Sequence, residues 1–390
     1  MKSLGLYLHI PFCRSKCRYC DFCSFPARST ETVGRYVERL CEDLTEQAPR
    51  CREHEVDSVY FGGGTPTLLS EGQFACIEEV LYRYYHIADD CEQTAECNPA
   101  TGSPSLFRTM RNMGLNRLSI GLQSAHTQEL RTLGRLHDFE GFRRTWEEAR
   151  DAGFDNLNAD VMFGIPYQTP ESFRETLERI CDLRPEHLSA YALALEEGTP
   201  LSRMAPTLPM PNEEDTETMY LDMIDFLASH GLEQYEISNF SKKGYRSRHN
   251  CKYWNTEEYL GFGPAAHSDF GGVRFGNNRD LEAYLRGEAI VCETSVPSPA
   301  ERENEYVMLR MRLCEGLCDD AFRARFGYGA EAFFKRLGRF VEGGFVQRTD
   351  RGMAFTPRGF LVSNAILSEA VDFHGKNEER SLQIDRYRVK

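Results

Sequence analysis

Three cysteines near the start of the chain constrain its fold more than any other feature. Cys13, Cys17 and Cys20 stand in C-x3-C-x2-C spacing directly after the apolar run Leu4-Gly5-Leu6-Tyr7-Leu8-His9-Ile10. That run reads as a buried strand, so the thiols fall on the loop that leaves it. A cubane [4Fe–4S] cluster normally takes four thiolates. Three close thiolates would hold three irons and leave the fourth open to a small molecule, a site for chemistry rather than for electron storage alone. Two other readings stay open at this level. Zinc usually pairs C-x2-C with a second Cys or His pair further along, and no clean second pair follows. Cys23, in C-x2-C spacing after Cys20, would complete four thiolates, for zinc or for a closed cluster.

Composition narrows the setting. The 14 cysteines are scattered along 390 residues, which suits free thiols in a reducing cytosol better than a disulfide framework. Cys41, Cys76 and Cys181 fall in apolar or helical contexts and read as buried small hydrophobes. A formal net charge of −14 argues against a general nucleic-acid binder, which needs a basic surface. Met1-Lys2-Ser3 runs straight into the first strand, so no signal or transit peptide is expected. No apolar run approaches a membrane span. A cytoplasmic protein without a transmembrane segment is expected.

Strands and helices then alternate about six times. Residues 35–46 place Tyr36, Val37, Leu40, Cys41 and Leu44 on one helical face. A strand over 57–61 ends in Gly62-Gly63-Gly64-Thr65-Pro66; helix 71–85 leads to strand 93–97, and a short helix to strand 116–121. Helix 139–152 precedes strand 156–163, and helix 171–183 precedes strand 187–195. Such alternation predicts an α/β fold with a parallel sheet or partial barrel, whose functional residues gather at the C-terminal ends of the strands. The cysteine loop, the glycine run, Glu96, Gln123 and Asp160 all fall at or near strand ends, around one mouth. After a helix over 213–230, a region rich in Gly and aromatic residues runs from Tyr235 to about Gly276. Helices around 306–313, 319–326 and 333–342, followed by a wing over 344–346 and 353–355, predict a small winged-helix-like α+β domain. Cys314 and Cys318 are expected on one helical face, and the charged tail from Lys376 is expected to be disordered. Three segments result: a core over 1–235, a bridging region over 236–298 and a C-terminal domain over 299–380.

These motifs together resemble the radical S-adenosylmethionine superfamily. The cysteine triplet, Gly62-Gly63-Gly64-Thr65-Pro66, Glu96-x-Asn98-Pro99, Arg117-x-Ser119-x-Gly121-x-Gln123-Ser124, Leu133-Gly134-Arg135 and Asp160-x-Met162-x-Gly164-x-Pro166 carry the likeness. Within the superfamily the chain is similar to the oxygen-independent coproporphyrinogen oxidase group, from about Gly5 to Gly359. The resemblance implies a partial (β/α)6 barrel in which Cys13, Cys17 and Cys20 bind a [4Fe–4S] cluster. S-adenosylmethionine would chelate the open iron, and an electron from a donor would cleave it to methionine and a 5′-deoxyadenosyl radical. Gly63, Gly64 and Thr65 would lie along the methionine, where the absence of Cβ lets backbone approach. Glu96, Gln123, Arg135 and Asp160 match positions that contact S-adenosylmethionine, and Tyr7 and Tyr19 match positions beside it. A carboxylate suits an ammonium or a ribose diol, and an arginine suits a carboxylate.

The group contains oxidases and haem chaperones. The oxidases carry an N-terminal arm before the cysteines and a fourth cysteine two positions after the third. Here the first cluster cysteine is residue 13 and Phe22 stands at the extra cysteine's place. Cys20-Asp21-Phe22 and His249-Asn250-Cys251-Lys252-Tyr253-Trp254 resemble the chaperone branch instead. On residue chemistry alone His249 is an ordinary hydrogen-bonded histidine; the motif makes it the haem ligand, with Tyr253 and Trp254 as a flat wall and His267 as a second candidate. Cys251 invites a covalent-haem reading that the absent C-x-x-C-H pattern disfavours. The resemblance therefore implies a chaperone that holds haem and passes it to acceptor haem proteins such as respiratory enzymes at the membrane, with no residue assigned a catalytic role. Decarboxylation of coproporphyrinogen III to protoporphyrinogen IX, as in porphyrin biosynthesis, is the alternative, and a radical methyltransferase a third.

Overall fold

The computed structural model describes residues 1–27, 29–99 and 101–371, and the tail from Lys376 lies outside them. The chain divides into two units, 1–223 with 258–296 and 224–257 with 297–390.

In the first unit six strands follow one another in parallel: β1 (Lys2–Ile10), β2 (His54–Gly63), β3 (His86–Cys97), β4 (Arg117–Gln123), β5 (Leu157–Phe163) and β6 (His187–Ala192). Helices α1 (Thr30–Gln47), α2 (Glu71–Tyr84) and α3 (Pro104–Asn112) make the first three crossovers. Next come α4 (Thr127–Leu133) and α5 (Phe139–Asp151) between β4 and β5, then α6 (Pro170–Cys181). Side-chain oxygens of Ser29, Ser70, Ser103, Asp138 and Thr169 cap five of these helices, satisfying amides that the helix itself leaves open.

The two-residue period of the strands divides apolar from polar. On β1, Leu4, Leu6, Leu8 and Ile10 are fully buried, while Tyr7 and His9 alternate with them. On β4 and β5, Leu118, Ile120, Leu122, Leu157, Ala159 and Val161 are fully buried. The alternate positions Arg117, Ser119, Asn158 and Asp160 form a polar group facing β6. The apolar faces are covered by residues such as Val33, Tyr36, Val37, Leu40 and Leu44 of α1, each fully buried aliphatic side chain contributing roughly 1.5–3 kcal/mol. The sheet extends beyond β1 through Tyr259–Phe262, which is parallel to it, and then through antiparallel His267–Phe270, Val273–Asn277 and Val291–Ser295. Strands β2 and β3 start well before the expected 57 and 93, because their first turns carry polar residues that hide the alternation.

The second unit contains the hairpin Glu233–Glu236/Asn239–Ser241, the helix Arg248–Trp254 and the helix Pro299–Arg310. Helices Asp319–Phe326 and Glu331–Leu337 are inserted between the first strand, Leu317–Cys318, and the other two, Val346–Thr349 and Gly352–Phe355, of a three-stranded antiparallel sheet. Helices Pro357–Leu361 and Ser363–Ala370 close it, giving the winged α+β arrangement that the sequence pattern suggests. Two expectations about cysteines fail. Cys314 lies in a turn and Cys318 in a strand, not on one helix, because Gly316 takes φ +68° between them. Cys76 is exposed, and Cys41 and Cys181 are half-buried. On α2 the buried positions are Phe74, Ile77, Glu78 and Leu81, and 76 falls off that face.

Candidate functional site

The loop after β1 is tied to its surroundings by backbone hydrogen bonds. Residues 12–13 pair in parallel with 25–26, so the segment between them closes into a loop that carries Cys17 and Cys20. The amide of Arg18 donates to Leu133 O at 2.9 Å, and the amide of Leu201 to Arg18 O at 2.9 Å. Gly64 N–H donates to Ile10 O at 2.8 Å and Thr65 N–H to Phe12 O at 2.7 Å, which fastens the glycine turn to the cysteine loop. A Cβ on Gly64 would stand 2.6 Å from Phe12 O, and one on Gly63 would overlap the His9 ring. Gly63 also takes φ +107°, which only glycine adopts without strain.

Cys13, Cys17 and Cys20 are half-buried, and none is in a disulfide. Thr65 Oγ1 donates to Cys13 Sγ at 3.6 Å, and Arg135 Nη1 donates to Cys17 Sγ at 3.5 Å. Burial pushes the Cys13 thiol up, and hydrogen bonds from Thr65 and Ser24 counter it. Among the described residues no three His, Cys, Asp or Glu side chains are gathered as a metal cage. Two sulfurs nevertheless already face donors that suit thiolates. Cys23 is different: it is 5% exposed, with its thiol directed at Arg279 O at 3.7 Å and its carbonyl held by His9 Nε2 at 2.8 Å. It serves as an anchor of the loop's far end. His9 is in turn bonded through Nδ1 to Tyr7 OH at 3.0 Å, so Tyr7 and His9 position the loop, a role that sequence reasoning missed for His9. Their placement at alternate positions of β1 is the signal that could have found it.

Around the same strand ends, Gly63 N–H donates to Glu96 Oε2 at 3.0 Å and Tyr60 OH to Oε1 at 3.2 Å. Gln123, 8% exposed, sits at a bulge with φ +73°, a strained position for a residue with a side chain. Arg135 Nη2 donates to Gly121 O at 2.6 Å, while its Nε is buried without a partner. Burial works against the Arg135 charge, but Tyr19, Cys17 and Asp160 around it outweigh that and hold its pKa above the ordinary value. Tyr19 packs against Leu133, Met162, Ile165 and Leu201. Cys17, Asn98, Thr101 and Arg135 line a shallow recess.

Asp160 lies inside the barrel rather than at a strand end, in register with Gly121 and Ser189. Burial pushes its carboxyl up, opposed by hydrogen bonds from Ser119, Asn158 and Ser189 and by the nearby Arg117 charge. Ser119 Oγ donates to it at 3.0 Å and Asn158 Nδ2 at 2.7 Å. Asn158 Oδ1 accepts from His187 Nδ1 at 2.6 Å and from Ser189 Oγ at 3.2 Å. The carboxylate is thus aimed by a buried network whose members alternate along β4, β5 and β6. The network's inner residues, Asn158 and His187, went unnoticed in sequence because they look like ordinary strand positions.

His249 belongs to the second unit. It is 1% exposed, and its Nε2 is bonded to Tyr253 OH at 2.8 Å, the two rings meeting edge-on at 5.3 Å. Trp254 is 3% exposed, so it is packed inward and forms no open wall. His267 lies in the first unit on an exposed strand position.

A parallel β/α half-barrel whose first loop carries three cysteines outside any disulfide, with a glycine turn and a half-buried arginine beside them, defines a radical S-adenosylmethionine protein. Residues 7–180 match the Radical SAM superfamily and residues 298–362 the HemN C-terminal domain. The chain belongs to the haem chaperone HemW family. It is 31% identical over 377 residues to the haem chaperone HemW of Bacillus subtilis, covering 94% of this chain and 98% of that protein. To the haem chaperone HemW of Escherichia coli it is 31% identical over 375 residues, again covering 94% and 98%. Among solved structures, coproporphyrinogen III oxidase (HemN) from Escherichia coli superimposes with a TM-score of 0.83 at 23% identity, covering 95% of this chain and 91% of that one. Radical S-adenosylmethionine membership implies a [4Fe–4S] cluster and S-adenosylmethionine. No helix among the described residues is long and apolar enough to cross a membrane.

Proposed function

We propose that the chain is a radical S-adenosylmethionine haem chaperone that holds haem and hands it to acceptor haem proteins. The observation that carries this reading is full-length similarity to haem chaperones, 31% identity over 98% of the Bacillus subtilis protein. In this reading Cys13, Cys17 and Cys20 hold the cluster, with Thr65 and Arg135 donating to their sulfurs. The cluster supplies one-electron reduction of the sulfonium of S-adenosylmethionine. The chain's own part is to bind and orient. Gly63 and Gly64 make room beside the methionine, Glu96 and Asp160 accept from ammonium and ribose donors, and Arg135 and Gln123 donate to the cofactor's acceptors. Tyr7 and Tyr19 flank the cofactor. His249 ligates haem iron once Tyr253 releases Nε2, and acceptors such as respiratory enzymes at the membrane receive the haem. An electron donor in the cytoplasm serves the cluster.

The fold is shared with an oxidase, so the decisive experiment sets the two activities side by side. Anaerobically reconstituted protein receives reductant, S-adenosylmethionine and coproporphyrinogen III, with porphyrins separated by chromatography, while a second sample is titrated with haem. The proposal predicts stoichiometric haem binding and no decarboxylated porphyrin. Harderoporphyrin or protoporphyrin appearing over several turnovers contradicts it. S-adenosylhomocysteine as the main cofactor product would indicate methyl transfer instead.

A further inference from the structure

A groove borders the outer side of the cysteine loop and runs along α4. Lys16, Arg18, Arg131, Arg135, Leu136 and Tyr167 are prominent in its lining, which contains four cations and no carboxylate. This is a strong local reversal in a chain of net charge −14. Two of the large apolar side chains that the protein leaves to solvent lie in the same groove, Leu136 at 65% and Tyr167 at 39% exposure. The cations are spread and partly fixed. Arg18 Nη1 donates to the carbonyls of Arg131 and Thr132 at 3.2 and 3.4 Å, and Lys16 Nζ to Phe22 O at 3.0 Å.

We propose that this groove is the docking face for a small acidic one-electron carrier protein that reduces the cluster. The inference rests on the reading of Cys13, Cys17 and Cys20 as cluster ligands. Three observations favour such a partner. Ser15, Lys16 and Arg18 of the groove belong to the cysteine loop itself, and Arg135 reaches from the groove to Cys17 Sγ at 3.5 Å. A carrier seated there stands next to the thiolates. Several cations beside the exposed side chains of Leu136 and Tyr167 suit a transient encounter, in which charge steers association and a modest apolar contact sets the dwell time. The overall negative charge would repel an acidic carrier everywhere else, so this face selects its orientation. In the step itself the reduced carrier gives up one electron to the cluster and leaves oxidised, and no covalent bond forms or breaks.

The test uses reconstituted full-length protein, with a reduced plant-type [2Fe–2S] ferredoxin as the acidic probe and dithionite as a small-molecule control. Cluster reduction is followed in stopped flow by bleaching of the visible absorbance. The double variant Gln128→Glu/Arg131→Glu lies off the cysteine loop. Charge reversal is expected to slow ferredoxin reduction about 10-fold or more at low salt, and to flatten the fall in rate that added salt causes in the parent protein. Dithionite reduction should stay within about 2-fold of the parent, as expected when steering alone is lost. Equal ferredoxin rates in variant and parent, or an equal slowing with dithionite, would overturn the docking face. Loss of haem affinity in the variant with ferredoxin reduction intact would assign the groove to haem carboxylates and overturn it too. Cluster content is measured first: parent protein that loads no cluster overturns the reading of the cysteines and the docking face with it, whereas a loaded cluster reduced at equal rates overturns the docking face alone.

Discussion

The two candidate ligand centres of this chain are in opposite states of readiness. The cysteine loop is half-open: its thiols are accessible, Arg135 and Thr65 already face two of the sulfurs, and the glycine turn is welded beside them. The His249 centre is shut, with the imidazole 1% exposed and its Nε2 occupied by Tyr253. In the proposed reading, one site waits for its ligand and the other must be opened. A chaperone needs such a contrast, because cargo must leave as well as arrive, and a ligand that competes with an internal hydrogen bond binds less tightly by the cost of breaking it.

Removing the proposed cluster ligands breaks the contrast most severely. Cys17→Ala, or the same change at Cys13 or Cys20, should abolish the cluster's visible absorbance altogether, since three thiolates are the minimum this loop offers. Haem titration of the same variant should change by less than about 2-fold if His249 binds independently. Arg135→Met removes donors to Cys17 Sγ and Gly121 O. S-adenosylmethionine affinity, measured calorimetrically, should fall by roughly 10- to 100-fold, in keeping with the 1.5–3 kcal/mol of a charge-assisted hydrogen bond. Tyr253→Phe acts on the closed centre in the other direction. Deleting the phenol removes its hydrogen bond to Nε2, and haem affinity should rise by about 3- to 10-fold, the worth of one neutral hydrogen bond.

A further expected effect is a pH dependence confined to the second unit. Glu236 is fully buried, and burial lifts its carboxyl from an ordinary 4.5 to about 7, partly countered by Asn239, Ser238 and Arg312. The folded chain therefore keeps a proton that the unfolded chain releases. Stability is full below the unfolded pKa, declines as pH rises from about 4.5 to about 7, and is level above that. The ceiling on the loss is about 3 kcal/mol. Glu236→Gln should flatten that part of the melting-temperature profile, and an unchanged slope would show that Glu236 does not carry it.

The readable part of the structure is the part whose spacing is fixed by backbone geometry. The six strands of the barrel, the strand-end glycines and the cysteine triplet follow from period-two and period-3.6 patterns and from loop chemistry, and so does the mouth that joins them. Burial and orientation of single polar side chains follow no such period. His249 carries the motif of a ligand, yet whether it faces solvent depends on Tyr253 one helical turn on, and only the packing decides that. Asp160 is legible as a carboxylate near the mouth, but its depth is set by Asn158, Ser119 and His187 on three strands. Cys23 is ambiguous in sequence because one shifted position preserves a plausible spacing; in the structure its thiol turns toward Arg279 O. Cys314 and Cys318 read as helical only because the break at Gly316 depends on its close fit against Met353 and Ala354.

The central claim, a haem centre distinct from the cluster and gated by Tyr253, is tested most directly by haem titration of cluster-loaded His249→Ala beside the parent. The account predicts haem affinity weaker by about 10-fold or more, a loss of at least 1.4 kcal/mol, with the cluster spectrum and S-adenosylmethionine affinity unchanged. Haem affinity equal to the parent's would remove His249 as the ligand and contradict the account.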